Sequence, residues 1–113
     1  MITIYHNPRC TKSRQGLQIL ENSNKPFKVV KYLDNPLSVE ELKEIITILN
    51  ISPQELVRKN EDIWKKNYKG KDLSDDEIIE AMIANPKLIE RPIVKHNNRA
   101  VVGRPPEIIS TII

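Results

Sequence analysis

The chain has 113 residues, of which 18 are basic and 15 acidic, so its net charge is +3 and its pI is near 9.0. This length fits one domain with a single hydrophobic core. The mild basic excess has no single-sign run of the kind that binds nucleic acid, and it favours a small anionic substrate. No apolar stretch is long enough to span a membrane and no signal peptide opens the chain, so we expect a cytoplasmic protein without membrane or nucleic-acid partners.

The first predicted elements surround the only cysteine. Residues 2–5 are β-branched and aromatic for the most part, which is typical of a strand. Asn7 and Pro8 form a turn signal, because proline disfavours helical backbone in the residue before it. Apolar residues at 17–20 are spaced for a helix that begins near Cys10. Cys10 is therefore predicted to lie in the first turn of a helix that follows a strand.

The position of Cys10 predicts a reactive thiolate. Backbone N–H groups are free at a helix start, and the positive end of the helix dipole stabilises an anion there. Arg9, Lys12 and Arg14 add positive charge nearby. Ser13 stands where a redox C-x-x-C motif would carry its second cysteine. A single cysteine cannot form an internal disulfide, which fits a reducing compartment.

Periodicity and capping signals place the other elements in the order strand, helical block, two strands and helix. The helical block takes residues 38–85, where capping boxes at Ser38 and Ser74 and the pair Ser52-Pro53, a cap followed by proline, mark helix starts. The predicted segments are a strand at 27–32, helices at 38–49, 52–60, 61–68 and 74–84, strands at 92–95 and 99–102, and a helix at 107–113. We predict an α/β fold in one domain, residues 1–113, with the thioredoxin-like four-stranded mixed sheet and a helical insertion between its second and third strands.

This arrangement gives Arg91 and Pro92 a specific place. In thioredoxin-like folds the strand after the insertion begins with a cis proline that faces the cysteine, so we expect a cis Arg91–Pro92 bond. His6, four residues before Cys10, is predicted to support the loop or the thiolate. His96 is predicted to be exposed in the turn of the C-terminal hairpin. One cysteine and two distant histidines lack the spacing of metal ligands, so no metal site is expected.

Three arginines lie at the ends of predicted elements: Arg58, Arg91 and Arg104. A guanidinium group offers paired N–H donors that match the oxygens of a tetrahedral oxyanion, which lysine cannot do. We predict that these three bind substrate. Arg14 and Arg99 are interpreted as ordinary surface side chains.

Four motifs resemble a known family over essentially the whole chain. They are the segments 5–13, 56–60, 88–94 and 103–105. At these positions the sequence is similar to the glutaredoxin-coupled arsenate reductases, the ArsC family, and their less characterised relatives. The resemblance implies that Cys10 attacks arsenate and forms a thiol–arsenate adduct. Glutathione would then reduce the adduct, and glutaredoxin would resolve the mixed disulfide and release arsenite.

The resemblance also assigns roles to residues. The oxyanion would be held by Arg58, Arg91 and Arg104. Glutathione and glutaredoxin would be external reductants, no cofactor would be bound, and the protein would be a monomer. The supporting residues would be His6, Asn7, Ser13 and Pro92.

Two alternatives remain open at this stage. Many arsenate reductases carry Gly-Thr-Ser after the cysteine and extend further at the C-terminus, whereas residues 11–13 here are Thr-Lys-Ser and the chain ends at Ile113. One alternative is a redox-sensing transcription regulator of this fold that binds RNA polymerase, although Ser13 argues against a disulfide switch. The other is a glutathione-dependent monothiol oxidoreductase. Arg58 and Arg104 favour an oxyanion over either alternative.

Overall fold

The computed structural model describes residues 1–113, which fall into two compact units. The first unit combines Met1–Asn35 with Arg91–Ile113, and the second is Pro36–Glu90. All four strands belong to the first unit and the middle helices belong to the second. None of the helices has the length and apolar character that a membrane crossing requires.

The first unit is built on a four-stranded mixed sheet. Its elements are β1 (Ile2–Tyr5), α1 (Thr11–Asn22), β2 (Phe27–Val30), β3 (Ile93–His96), β4 (Arg99–Val102) and a C-terminal 3₁₀ helix (Pro106–Thr111). The strand order is β2-β1-β3-β4; β1 is parallel to β2 and antiparallel to β3, and β3 pairs antiparallel with β4. The core between the sheet and these helices is formed by Ile2, Ile4, Leu20, Val94 and Ile109. The predicted thioredoxin-like fold class is confirmed.

The second unit consists of short helices with capped starts. They are α2 (Val39–Leu49), α3 (Pro53–Leu56), α4 (Asp62–Asn67), α5 (Asp75–Ala84) and a 3₁₀ helix (Pro86–Leu88). Ser38, Ser52 and Ser74 each begin a capping box, in which a glutamate three residues later reaches back to the serine N–H. Helix α5 packs against α2, α3 and the 3₁₀ helix, which buries the apolar face of α5.

One predicted helix is shorter than expected. The segment 52–60 was predicted to be helical throughout, but α3 ends at Leu56. Val57 turns to an extended conformation and forms a β-bridge with Ile89. The Arg58 N–H donates to the Leu88 carbonyl at 2.7 Å, so tertiary pairing replaces further helical hydrogen bonds. Local sequence does not reveal this competition.

The expected position of His96 is also corrected. His96 is the last residue of β3, opposite Arg99, and is half-buried rather than exposed in a turn. Its Nδ1 donates to the Ile112 carbonyl at 2.7 Å. The strands extend this far because Asn97 and Asn98 alone form the turn, and Asn97 adopts a positive φ of 57°.

Candidate active site

Cys10 is the N-cap of α1 rather than a residue of its first turn. Its backbone is extended, with φ −96° and ψ 125°, and its side chain is half-buried. The Cys10 N–H donates to the Asn7 carbonyl at 3.0 Å, and the Arg14 N–H donates to the Cys10 carbonyl at 3.0 Å. These two hydrogen bonds fix the backbone of Cys10 at the N-terminal end of α1.

The surroundings of Cys10 favour its thiolate. Burial raises the pKa of the thiol, but the Ser13 N–H, the Arg91 side chain and the Lys12 N–H together lower the pKa below its ordinary value. The sequence pointed to Arg9, Lys12 and Arg14 as the source of positive charge. In the structure Arg91, which is distant in sequence, provides the positive side chain that stabilises the thiolate.

We expect Cys10 to be alkylated by iodoacetamide with a midpoint below pH 8.5, the approximate value for a free thiol. The thiolate is the reacting form, so the rate stays constant above the midpoint and falls about tenfold per pH unit below it. The Arg91→Ala variant should move the midpoint upward, whereas Arg99→Ala should leave it unchanged. A midpoint at or above 8.5 in the parent protein would contradict an activated thiolate.

Arg91 and Arg104 converge on the sulfur. The Arg91–Pro92 bond is cis, as predicted, and the Arg91 side chain hydrogen-bonds to Cys10. Arg104 Nη2 lies 3.6 Å from Cys10 Sγ, and Arg104 Nε donates to the Arg91 carbonyl at 2.8 Å. The Arg104–Pro105 bond is also cis, which the sequence analysis did not predict. Two guanidinium groups beside a thiolate form a site suited to a tetrahedral anion.

Two glycines make room for Pro92, and the sequence analysis missed both. A Cβ on Gly16 would lie 2.9 Å from Pro92 Cγ and 2.9 Å from Ile109 Cδ1. A Cβ on Gly103 would lie 2.9 Å from Pro92 Cγ and 3.0 Å from Ile109 Cδ1. The available signal was Gly16 itself, because glycine inside a helix costs about 1 kcal/mol relative to alanine and therefore suggests a close approach.

His6, Asn7 and Ser13 form a buried network behind the cysteine loop. Ser13 is fully buried, and its Oγ accepts the Asn7 N–H at 3.0 Å. Ser13 Oγ also lies 2.7 Å from His6 Nδ1, so the two side chains form a buried hydrogen bond. Burial, followed by the charge of Lys31, lowers the pKa of His6 and keeps the ring neutral. Ser13 thus holds the loop through its side chain and the thiolate through its N–H.

Replacing Ser13 with alanine should lower the free energy of unfolding by about 1–3 kcal/mol, because His6 Nδ1 and the Asn7 N–H would remain buried without a partner. Urea denaturation followed by circular dichroism measures the change. Ser110→Ala, at an exposed position, is the matched control and should shift stability by less than about 0.5 kcal/mol. Equal stabilities of the two variants would contradict a structural role for this network.

The remaining arginines have separate surroundings. Arg58 belongs to the second unit, where its Nε lies 3.4 Å from Glu61 and its Nη1 lies 3.5 Å from Glu90. Its assignment to the substrate anion remains a prediction from the resemblance.

Arg14 is exposed and donates to the Pro8 carbonyl at 3.0 Å and to Thr11 Oγ1 at 3.1 Å, so it stabilises the cysteine loop. The chain contains no cluster of His, Cys, Asp and Glu suited to a metal ion.

The fold and site define a thioredoxin-like protein with one activated cysteine beside two arginines. The model of the ArsC family matches residues 5–112, and the chain belongs to that family. It is 44% identical to a protein of Escherichia coli (strain K12) named "Uncharacterized protein YfgD", with 99% of this chain and 96% of that protein covered. It is 41% identical to an arsenate reductase of Neisseria meningitidis serogroup A, with 99% and 97% covered. The structure of an arsenate reductase from Vibrio cholerae is 45% identical and superposes with a TM-score of 0.94, covering 99% of this chain and 97% of that one.

Proposed function

We propose that this protein reduces arsenate to arsenite, with Cys10 as the nucleophile and an external thiol as the reductant. The observation that carries the proposal is the contact of Arg91 and Arg104 with the Cys10 sulfur. The same chain is 41% identical, over 99% of its length, to a protein named arsenate reductase. The site therefore combines a thiolate with donors for an oxyanion in a chain related to enzymes of that name.

The proposed reaction has two chemical steps. In the first, the Cys10 thiolate attacks arsenic, an S–As bond forms and one arsenate oxygen leaves as water after protonation. In the second, an external thiolate attacks Cys10 Sγ, so an S–S bond forms and the S–As bond breaks. The electron pair of the broken bond remains on arsenic, which passes from As(V) to As(III) and leaves as arsenite. A second thiol then exchanges with the mixed disulfide and restores Cys10.

The arginines allow the first step to take place. Bringing an oxyanion next to a thiolate costs several kcal/mol unless positive groups are already fixed there. The Arg104 Nε bond to the Arg91 carbonyl fixes the two arginines relative to each other. Arg58 is included as a third oxyanion ligand on the basis of the sequence resemblance. We infer that glutathione and glutaredoxin supply the external thiols, that no cofactor is bound, and that a monomer works in the cytoplasm, where glutathione is kept reduced.

The proposal is tested by arsenate-dependent NADPH oxidation in the presence of glutathione, glutaredoxin and glutathione reductase. The parent protein should turn over arsenate, and the Cys10→Ser variant should be inactive. If the parent is inactive but captures RNA polymerase subunits, the protein is a regulator. If it is inactive on arsenate but reduces small disulfides with glutathione, it is a monothiol oxidoreductase.

A further inference from the structure

A groove on the first unit adjoins the thiol site. Its volume is about 540 Å³, within the range of about 300–1,000 Å³ typical of small-ligand sites. The lining residues come from α1 and from the start of the C-terminal 3₁₀ helix: Lys12, Gln15, Gln18, Ile19, Pro105, Pro106 and Glu107. Two lining residues adjoin the thiol site: the Lys12 N–H hydrogen-bonds to Cys10, and Pro105 directly follows Arg104, whose Nη2 lies 3.6 Å from the sulfur.

The lining offers one group of each charge together with two amides. Lys12, Gln15, Gln18 and Glu107 all have exposed side chains. Gln18 is oriented by a hydrogen bond from its Nε2 to Asn22 Oδ1 at 3.1 Å. A cation, an anion and amide groups complement a ligand that itself carries carboxylates, an ammonium group and peptide bonds.

We propose that this groove binds the reductant, a small peptide thiol with two carboxylates and one ammonium group. The inference rests on the proposed function, in which an external thiolate attacks Cys10 Sγ, forms the S–S bond and displaces arsenic with its electron pair. Arg91 and Arg104 bind the oxyanion at that moment, so a peptide carboxylate needs another cation. Lys12 is that cation, and Glu107 binds the ammonium group.

Binding is measured first, with S-methylglutathione, which has the charges of glutathione but no free thiol. Titration into ¹⁵N-labelled protein should shift the amide signals of Gln15, Gln18 and Glu107 in ¹H–¹⁵N NMR spectra. This measurement requires no arsenate and no turnover. If the protein shows these shifts but does not reduce arsenate, the proposal about the groove is supported and the proposed substrate is wrong.

Kinetics then test the charges. Lys12→Gln and Glu107→Gln should each raise the KM for glutathione about two- to fivefold, the factor expected for one exposed ion pair. With 2-mercaptoethanol, which lacks both kinds of charge, kcat/KM of the Glu107→Gln variant should be the same as in the parent protein. Lys28→Gln and Glu21→Gln, at exposed positions of the same unit outside the groove, are the matched controls and should change neither value.

Three results would overturn the proposal while wild-type turnover of arsenate continues. The first is an unchanged KM for glutathione in both groove variants. The second is an equal loss with glutathione and 2-mercaptoethanol, which would show that the variants disturb Cys10 itself. The third is a lower turnover rate of the groove variants that is seen only with glutaredoxin, at saturating glutathione. This result would show that the groove binds glutaredoxin instead.

Discussion

Replacing Arg91 or Arg104 with alanine is expected to lower kcat/KM for arsenate about 10²-fold, the usual cost of removing one fixed donor from a developing anion. Both side chains contact the Cys10 sulfur, so each stabilises negative charge where arsenate meets the thiolate. Arg91→Ala should have a second effect, since Arg91 also lowers the pKa of Cys10. Steady-state kinetics at several pH values separate the two effects.

Arg99→Ala is the matched control for these variants. Arg99 is exposed on β4 in the same unit, and its removal should change kcat/KM by less than about twofold. Arg104→Ala should keep the circular dichroism spectrum of the parent protein, which shows that it is folded, and should still react with iodoacetamide, which shows that its thiol is accessible. An Arg91→Ala, Arg104→Ala double variant that works at the parent rate would refute the arginine site.

Without an added thiol, the protein is expected to consume at most one arsenate per chain. Cys10 is the only cysteine, so no internal thiol can break the S–As bond or release an oxidised sulfur. Rapid mixing with excess arsenate, followed by quantification of bound arsenic and of free thiol, measures the stoichiometry. No arsenite should form, because the reduction of arsenic requires the external thiol. Addition of glutathione should convert this single event into continuous turnover.

The Cys10→Ser variant is the blank for this experiment and should consume no arsenate. Sustained production of arsenite by the parent protein without any added thiol would contradict the mechanism. The same result would also remove the need for a reductant site.

The sequence predicted most clearly those features that depend on local signals. The capping boxes at Ser38 and Ser74 and the cap of Ser52 before Pro53 mark the starts of three helices, because each signal joins residues at most three positions apart. The position of Cys10 at a helix start and the cis bond at Pro92 were predicted as well, the second through the resemblance to thioredoxin-like folds. These features require no knowledge of distant contacts beyond the fold class.

Features that depend on contacts distant in the chain were harder to predict. The fold resemblance placed Arg91 beside Cys10, but the residues around Cys10 do not indicate that Arg91 supplies the charge that lowers the pKa of the thiol. The hydrogen bond between His6 and Ser13 depends on how α1 leaves β1, so His6 was assigned only a general supporting role. The bridge from Val57 to Ile89 shortens a helix for the same reason.

The absence of side chains at Gly16 and Gly103 affects how a saturation-mutagenesis screen for arsenate reduction should be interpreted. Neither residue has a functional group, yet any replacement adds atoms within about 3 Å of the Pro92 ring, closer than packed carbon atoms normally approach. Because Pro92 directly follows Arg91, loss of activity at these two sites would report a displaced backbone, whereas loss at Cys10 would report lost chemistry. A ranking of positions by their sensitivity to substitution would therefore not distinguish steric requirements at the two glycines from the chemical requirement at Cys10.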